Sequence, residues 1–249
     1  MVFLSRALLA LPLLGSLALA DVTIDNVIPP ECGDVAIACN GLQPDGNNDT
    51  QNYFSCEDCP CNNKLLGQNQ IATSGNWTSI FDGWVPWGGY CPRDFLCTWA
   101  NWAKDPWRGF VYPPNDGGIG CPQNVTLTQD TMLDRFGRKD GQYLALAGVP
   151  YSQRSTPPNN LNKYVGPGNT ENNYWVFRVL KSFEALQSPI APWFGQEGGA
   201  DQFYVEIGVQ ELINEGYLEE VTPSGALEDS DLSTWDSLEP VQGEPMFYH

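Results

Sequence analysis

The chain has 249 residues, 42% of them hydrophobic, which is enough for one large or two small cored domains and too apolar for a disordered tail. Thirty acidic residues against twelve basic ones give a formal net charge of −18. Nucleic acid and anionic membrane are thereby excluded as principal partners, because a polyanion meets repulsion over most of the surface. The single histidine, His249, sits at the C-terminus, which sets aside Ser-His-Asp and Cys-His mechanisms and a His-ligated zinc site.

Residues 1–20 read as a secretory signal: Arg6 in a short first region, an apolar stretch from Ala7 to Leu14, and the small-x-small site Ala18-Leu19-Ala20 before Asp21. No later window reaches the ~18 uninterrupted apolar residues of a membrane helix. The mature protein is therefore expected to begin at Asp21, to reach the medium or the cell surface, and to insert in no membrane. Sequons at Asn48, Asn76 and Asn124 agree with that route and predict a glycoprotein. All eight cysteines (Cys32, Cys39, Cys56, Cys59, Cys61, Cys91, Cys97 and Cys121) precede residue 122. In an oxidising compartment they predict disulfides that staple a loop-rich module over residues 21–121, with the pairing left open. The Cys56-x-x-Cys59-x-Cys61 cluster reads as disulfide-forming rather than zinc-binding, since no histidine or second paired cluster accompanies it. Six of the nine tryptophans (Trp77, Trp84, Trp87, Trp99, Trp102 and Trp107) fall in this module and are expected in a small core or an interface, with a glycan-binding platform as the alternative.

The texture changes at about residue 122, where strand-like runs replace the turn-rich segment. Residues 174–180 are dense in aromatic and β-branched side chains and predict a largely buried strand, and 202–207 predict another. Val209, Leu212 and Ile213 have the spacing of a short amphipathic helix over 209–215, with Gly216 as its stop, and 217–221 return to a strand. The predicted fold class over 122–225 is α+β, mostly β, followed by an acidic segment at 226–249. Seven of the twelve basic residues (Arg135, Arg138, Lys139, Arg154, Lys163, Arg178 and Lys181) lie between 135 and 181, a locally basic sector suited to a pyrophosphate.

Within that sector Arg135-Phe136-Gly137 closes an apolar strand, Tyr143 follows, and Arg154 stands in a polar loop. The run from Ala191 to Gly199 sets an amide, Gln196, after the Trp193-Phe194 pair. Two cations, aromatic walls and an amide suit an anionic ligand with aromatic ends, such as a dinucleotide. The chain has neither a Walker-type run nor a G-x-G-x-x-G between strand and helix, so a Rossmann dehydrogenase is not expected.

In order and spacing, the D-R-F-G, P-Y-x-Q-R and P-W-F-G-Q-x-G-G elements, over roughly 124 to 221, resemble the NAD glycohydrolases of the tuberculosis necrotizing toxin (TNT) family, especially its secreted fungal members. The resemblance implies a TNT-type split sheet related to ADP-ribosyl-transferring toxins. It implies hydrolysis of the nicotinamide–ribose bond of NAD+, and of NADP+, with no cofactor required for the chemistry and with a homodimer formed through the N-terminal module. It makes Arg135 and Gln196 the catalytic residues, with Arg135 and Arg154 engaging the phosphates and Phe136 and Tyr143 lining the pocket. Trp175 and Lys163 are the candidates for the space that a histidine takes in the bacterial toxin. Glu197 is the candidate accessory acid, by the logic of paired acids in glycoside hydrolysis. A structural or regulatory calcium is assigned to the acidic end, with Glu219, Glu220, Asp229 and Asp231 as ligands, although the spacing is not that of an EF-hand. The alternatives are an ADP-ribosyltransferase acting on a protein acceptor and a non-catalytic glycan- or wall-binding protein.

Overall fold

The computed structural model describes residues 22–25, 28–40, 42, 55–73, 79–101, 109–162 and 174–221. The sequon residues Asn48 and Asn76, the tryptophans Trp77, Trp102 and Trp107, Lys163, Asp229 and Asp231, residues 1–20 and the acidic segment 226–249 lie outside them. Strands β1 (Val22–Asp25) and β2 (Gln70–Thr73) pair antiparallel. Among the described residues, single turns and two helices come between and after them. Asp34 starts α1 (Val35–Ala38) by accepting from the Ile37 amide at 2.9 Å. Helix α2 (Pro92–Trp99) opens on a proline, whose missing N–H would have had no partner in the first turn, and buries Phe95 and Leu96.

Disulfides join Cys32 to Cys91, Cys39 to Cys61, and Cys56 to Cys59. Cys97 and Cys121 are free and exposed, so the expectation that all eight cysteines pair fails for these two. Cys97 projects to solvent from α2, opposite the buried Phe95 and Leu96, and Cys121 lies just before the first strand of the next sheet.

That sheet has seven antiparallel strands: β3 (Gln123–Leu127), β4 (Met132–Phe136), β5 (Tyr143–Leu146), β6 (Tyr174–Val179), β7 (Phe183–Pro189), β8 (Asp201–Tyr204) and β9 (Leu218–Val221). Their order is β3-β7-β8-β5-β4-β6-β9. Strand β5 changes partner halfway: Tyr143 and Leu144 lie opposite Tyr204 and Phe203 of β8, while Ala145 and Leu146 lie opposite Asp134 and Leu133 of β4. The sheet therefore splits at β5. Helix α3 (Val209–Asn214) inserts Val209 and Leu212 against Leu133, Phe177 and Phe203, and Gly216, at φ 71°, ends it. The strand expected over 202–207 stops at Tyr204, because Ile207 is exposed and Gly208 turns the chain at φ 80°.

Among the described residues one core cluster lies between the sheet and α3, while the other two join the halves of the chain. Ile71, Ile80 and Phe81 pack with Phe136, Tyr151 and Tyr174. Leu65, Trp87, Phe95 and Phe110 pack around Phe194. The described tryptophans serve these contacts: Trp87 is buried with its indole N–H donating to the Leu66 carbonyl at 2.9 Å, and Trp99 meets Trp193 at 5.0 Å between ring centroids. Gly88 and Gly195 touch backbone to backbone, and a Cβ on Gly88 would stand 2.5 Å from the Gly195 carbonyl oxygen. This contact sets the height of the loop that carries Gln196. Among the described residues no helix is long and apolar enough to cross a membrane.

Candidate active site

A cleft of about 560 Å³ opens where the sheet splits. Strand β4 supplies Asp134, Arg135 and Phe136, and β5 supplies Tyr143, Leu144 and Ala145. The loop after β5 contributes Arg154, Ser155, Thr156, Pro157 and Asn160, and Ile190 and Gln202 close one side. The remaining wall comes from before residue 122: Tyr112, Pro113, Asp116 and Gly117.

Arg135 is held by main-chain acceptors and not by a carboxylate. Its Nε donates to the Arg138 carbonyl and its Nη1 to the Tyr143 carbonyl, both at 2.6 Å. The planar group lies against Gly141, where a Cβ would overlap Nη2 and Cζ and stand 2.9 Å from Nη1. Gly141 has no left-handed φ, so glycine is required there for space. Burial pulls the Arg135 pKa down, with the charge of Asp140 working the other way. Nη2 has no hydrogen-bond partner among the described residues, and Arg135 offers its charge to the cleft.

Arg154 is placed differently. Its Nη1 and Nη2 grip the two oxygens of Asp134, with 2.8 Å for Nη2 to Oδ2, while Nε and Nη2 donate to the Val149 carbonyl at 2.9 and 2.7 Å. Both side chains are buried. Burial disfavours the Arg154 cation, but the charge and hydrogen bonds of Asp134, aided by Tyr174 and Tyr151, more than offset it and raise the pKa. Asp134 also accepts from the Tyr174 hydroxyl at 2.7 Å and from the Gly148 amide at 3.1 Å. Arg154 thus enters the cleft with its charge already matched, and its visible work is to tie the loop after β5 to β4.

Phe136 anchors this wall, with ring centroids 4.9 Å from Tyr151 and 4.4 Å from Tyr174. Tyr143 faces Tyr204 at 5.4 Å. Its hydroxyl is pushed up to about 12, first by burial and then by the charges of Asp116 and Tyr204.

Gln196 is buried behind the cleft lining. Its Nε2 donates to the carbonyl of Thr156, a lining residue, at 2.6 Å, while Oε1 is buried without a hydrogen-bond partner among the described residues. The neighbouring Glu197 is exposed and outside the lining, because consecutive residues of this loop point to opposite sides. Trp175 is likewise outside it: the ring is buried in the sheet's own core, its N–H donates to the Gly137 carbonyl at 2.9 Å, and the Lys139 ammonium stands 4.1 Å over it. A residue read as a candidate for the histidine's place in the substrate site is instead packed beneath the D-R-F-G turn.

Of the assigned calcium ligands, Asp229 and Asp231 lie outside the described residues, and the other two are engaged by basic side chains. Glu220 pairs with Lys139 at 2.8 Å and Glu219 with Arg178 at 3.6 Å, and among the described residues no group of three acidic, cysteine or histidine side chains is placed to hold a metal. No step of the chemistry is routed through a cation.

Sequence reasoning passed over Asp134, Asn160, Gln202 and the wall from 112 to 117. Asp134 was within reach as the first letter of D-R-F-G. The segment Asn115-Asp116-Gly117-Gly118 carried only a turn signal, which says nothing about what the turn faces.

The model of the tuberculosis necrotizing toxin family matches residues 126–221. The chain is 32% identical over 231 residues, 90% of this chain and 92% of the relative, to the conidial surface nicotinamide adenine dinucleotide glycohydrolase nadA of Aspergillus fumigatus. Among solved structures, tuberculosis necrotizing toxin in complex with its immunity factor IFT has a TM-score of 0.41 at 21% identity, covering 73% of this chain and 86% of that one. Tse6 in complex with Tsi6 has a TM-score of 0.29 at 17% identity, covering 45% of this chain and 85% of that one. The cleft between β4 and β5 lies within the matched region, and the chain belongs to the family of this conidial surface glycohydrolase, with its tuberculosis necrotizing toxin domain at residues 126–221.

Proposed function

We propose that the protein is an NAD+ glycohydrolase that also accepts NADP+, releasing nicotinamide and the ADP-ribose moiety. The observation that carries this reading is the 32% identity, over 90% of the chain, to an NAD glycohydrolase. The cleft supports it chemically. Arg135 takes the pyrophosphate through its unengaged Nη2, and Phe136 and Tyr143 flank the nucleotide. The C1′–N bond breaks with its electron pair moving to the pyridinium nitrogen, so nicotinamide leaves neutral and needs no strong general acid. A water oxygen then bonds to C1′ and its proton passes to solvent. Gln196 is read as orienting the nicotinamide ribose or that water from behind the lining, through the Thr156 carbonyl that its Nε2 holds at 2.6 Å. Arg154 contributes by fixing the cleft wall on Asp134, with one remaining N–H for the substrate.

The reading extends to a signal peptide at 1–20, an N-terminal module at 21–121 that dimerises, a catalytic domain at 122–225, and an extracellular or surface location. Three disulfides and the exposed position of Asn124 on β3 agree with passage through an oxidising, glycosylating compartment. Light scattering of the mature protein tests the dimer, and a monomer rejects it.

The function is tested by nicotinamide release from NAD+ with the mature protein, beside folded Gln196→Ala and Arg135→Ala variants. The parent is expected to be active and each variant to lose about a hundredfold or more in kcat/KM. A folded parent that releases no nicotinamide refutes the reading. ADP-ribose found on a protein acceptor instead of free in solution shifts it to a transferase.

A further inference from the structure

Two carboxylates line the cleft, and they are in opposite states. Asp134 is buried and fully engaged by Arg154, Tyr174 and the Gly148 amide. Asp116 is exposed to the cleft, and among the described residues its carboxylate has no hydrogen bond or ion pair.

The backbone around Asp116 is nevertheless firmly held. Its carbonyl accepts from Gln202 Nε2 at 3.1 Å, and the next carbonyl, of Gly117, accepts from the Ala191 amide at 2.7 Å. Asn115 and Asp116 both adopt left-handed φ, 54° and 52°, a conformation uncommon for residues with a Cβ. The turn therefore presents Asp116 from a fixed base, near enough to Tyr143 for its charge to act on that hydroxyl.

In the same cleft Arg135 feels the charge of Asp140 but, among the described residues, has no carboxylate in ion-pair contact. The described lining thus offers one cation and one anion that make no ion pair, and NAD+ carries the complementary arrangement: a negative pyrophosphate and a positive pyridinium–ribose end. We propose that Asp116 is a catalytic residue that faces the nicotinamide ribose, stabilises the positive charge developing there, and together with Arg135 fixes the direction in which the dinucleotide lies. As the C1′–N bond breaks, positive charge moves from the pyridinium ring onto the ribose. A carboxylate placed at the ribose therefore interacts more strongly with the transition state than with the bound substrate, the condition for raising kcat. This is the accessory-acid role that the sequence assigned to Glu197, transferred to a residue from the other half of the chain. It rests on the glycohydrolase reading.

The test uses Asp116→Asn, a near-isosteric change to a residue that tolerates left-handed φ. NADH is the control ligand, since it has the shape of NAD+ without the ring charge. In the folded variant, kcat for NAD+ is expected to fall ten- to a hundredfold, on the order of one lost electrostatic contact. The NADH inhibition constant and the melting temperature are expected to stay within about threefold and about 2 °C of the parent. A variant that keeps the parent kcat overturns the inference, and so does one whose NADH inhibition weakens in step with kcat, because Asp116 would then bind the uncharged parts of the ligand. In either case an active parent leaves the glycohydrolase reading standing. A folded parent inert to NAD+ removes both.

Discussion

Replacing Gly141 with alanine displaces the Arg135 side chain while leaving residue 135 an arginine. The backbone tolerates the change, since φ at Gly141 is not left-handed, but the new Cβ would occupy space held by Nη2 and Cζ and stand 2.9 Å from Nη1, against an ordinary contact of 3.4 Å or more. The guanidinium must lift by roughly 1 Å or more, which parts it from the Arg138 and Tyr143 carbonyls that it now meets at 2.6 Å. A misplacement of about 1 Å in a group that positions the substrate costs about a hundredfold in rate. Gly141→Ala is therefore expected to lower kcat/KM for nicotinamide release by about a hundredfold. The freed guanidinium can hydrogen-bond to water, so the expected loss of stability is about 1 kcal/mol, or a few degrees in Tm. In an Arg135→Ala background the alanine at 141 has room and is expected to add no further loss, the non-additivity of two residues acting through one contact. Parent-like activity in Gly141→Ala, or a second full loss on top of Arg135→Ala, refutes the account.

Asp134→Asn leaves the buried Arg154 cation without its counter-charge and is expected to destabilise the fold by about 3 to 5 kcal/mol, measured by urea denaturation; a loss under about 1 kcal/mol would show that Arg154 finds another partner or solvent. Alkaline stability follows from the tyrosines around the cleft. Burial is the first cause in each case, raising Tyr143 from 10 to about 12 and Tyr151 and Tyr174 further. The stability they lend is present below pH 10 and is lost as pH rises through their folded values, so phenolate absorbance and unfolding are expected to rise together above pH 10; phenolate formation at these tyrosines in the folded protein near pH 10 would contradict the shifts. Alkylation of the native, unreduced protein is expected to label Cys97 and Cys121 alone, read by peptide mass spectrometry, and protection of either indicates a bond absent from this fold.

What the sequence made legible was local. Residues 174–180 announced β6 because Tyr174, Trp175, Val176 and Phe177 are all buried, so hydrophobicity and strand propensity agree there. The spacing of Val209 and Leu212 marked α3 for the same reason. Strand β7 was missed because its burial does not alternate cleanly from Phe183 to Pro189. Motif order led to Arg135, which lines the cleft, and to Gln196, which stands one hydrogen bond behind it. The states of the side chains stayed hidden: the Arg154 charge is answered by a residue twenty positions earlier, Glu197 turns outward by the alternation of one loop, and Asp116 reaches the cleft only because the N-terminal half folds back onto the sheet. Trp175 misled because an aromatic side chain in a strand serves a core as well as a ligand.

The two shared clusters bear on how this chain can be cut. A fragment beginning at residue 122 would bare Phe194, Phe136 and Tyr151, each now covered by aromatic or aliphatic groups from before that point, and would lack the Tyr112 to Gly117 wall of the cleft. The excised sheet would offer a sticky apolar face in place of a binding site. The smallest transplantable unit of this enzyme is therefore longer than its family domain, and grafts or fusions should keep the cysteine-rich half attached.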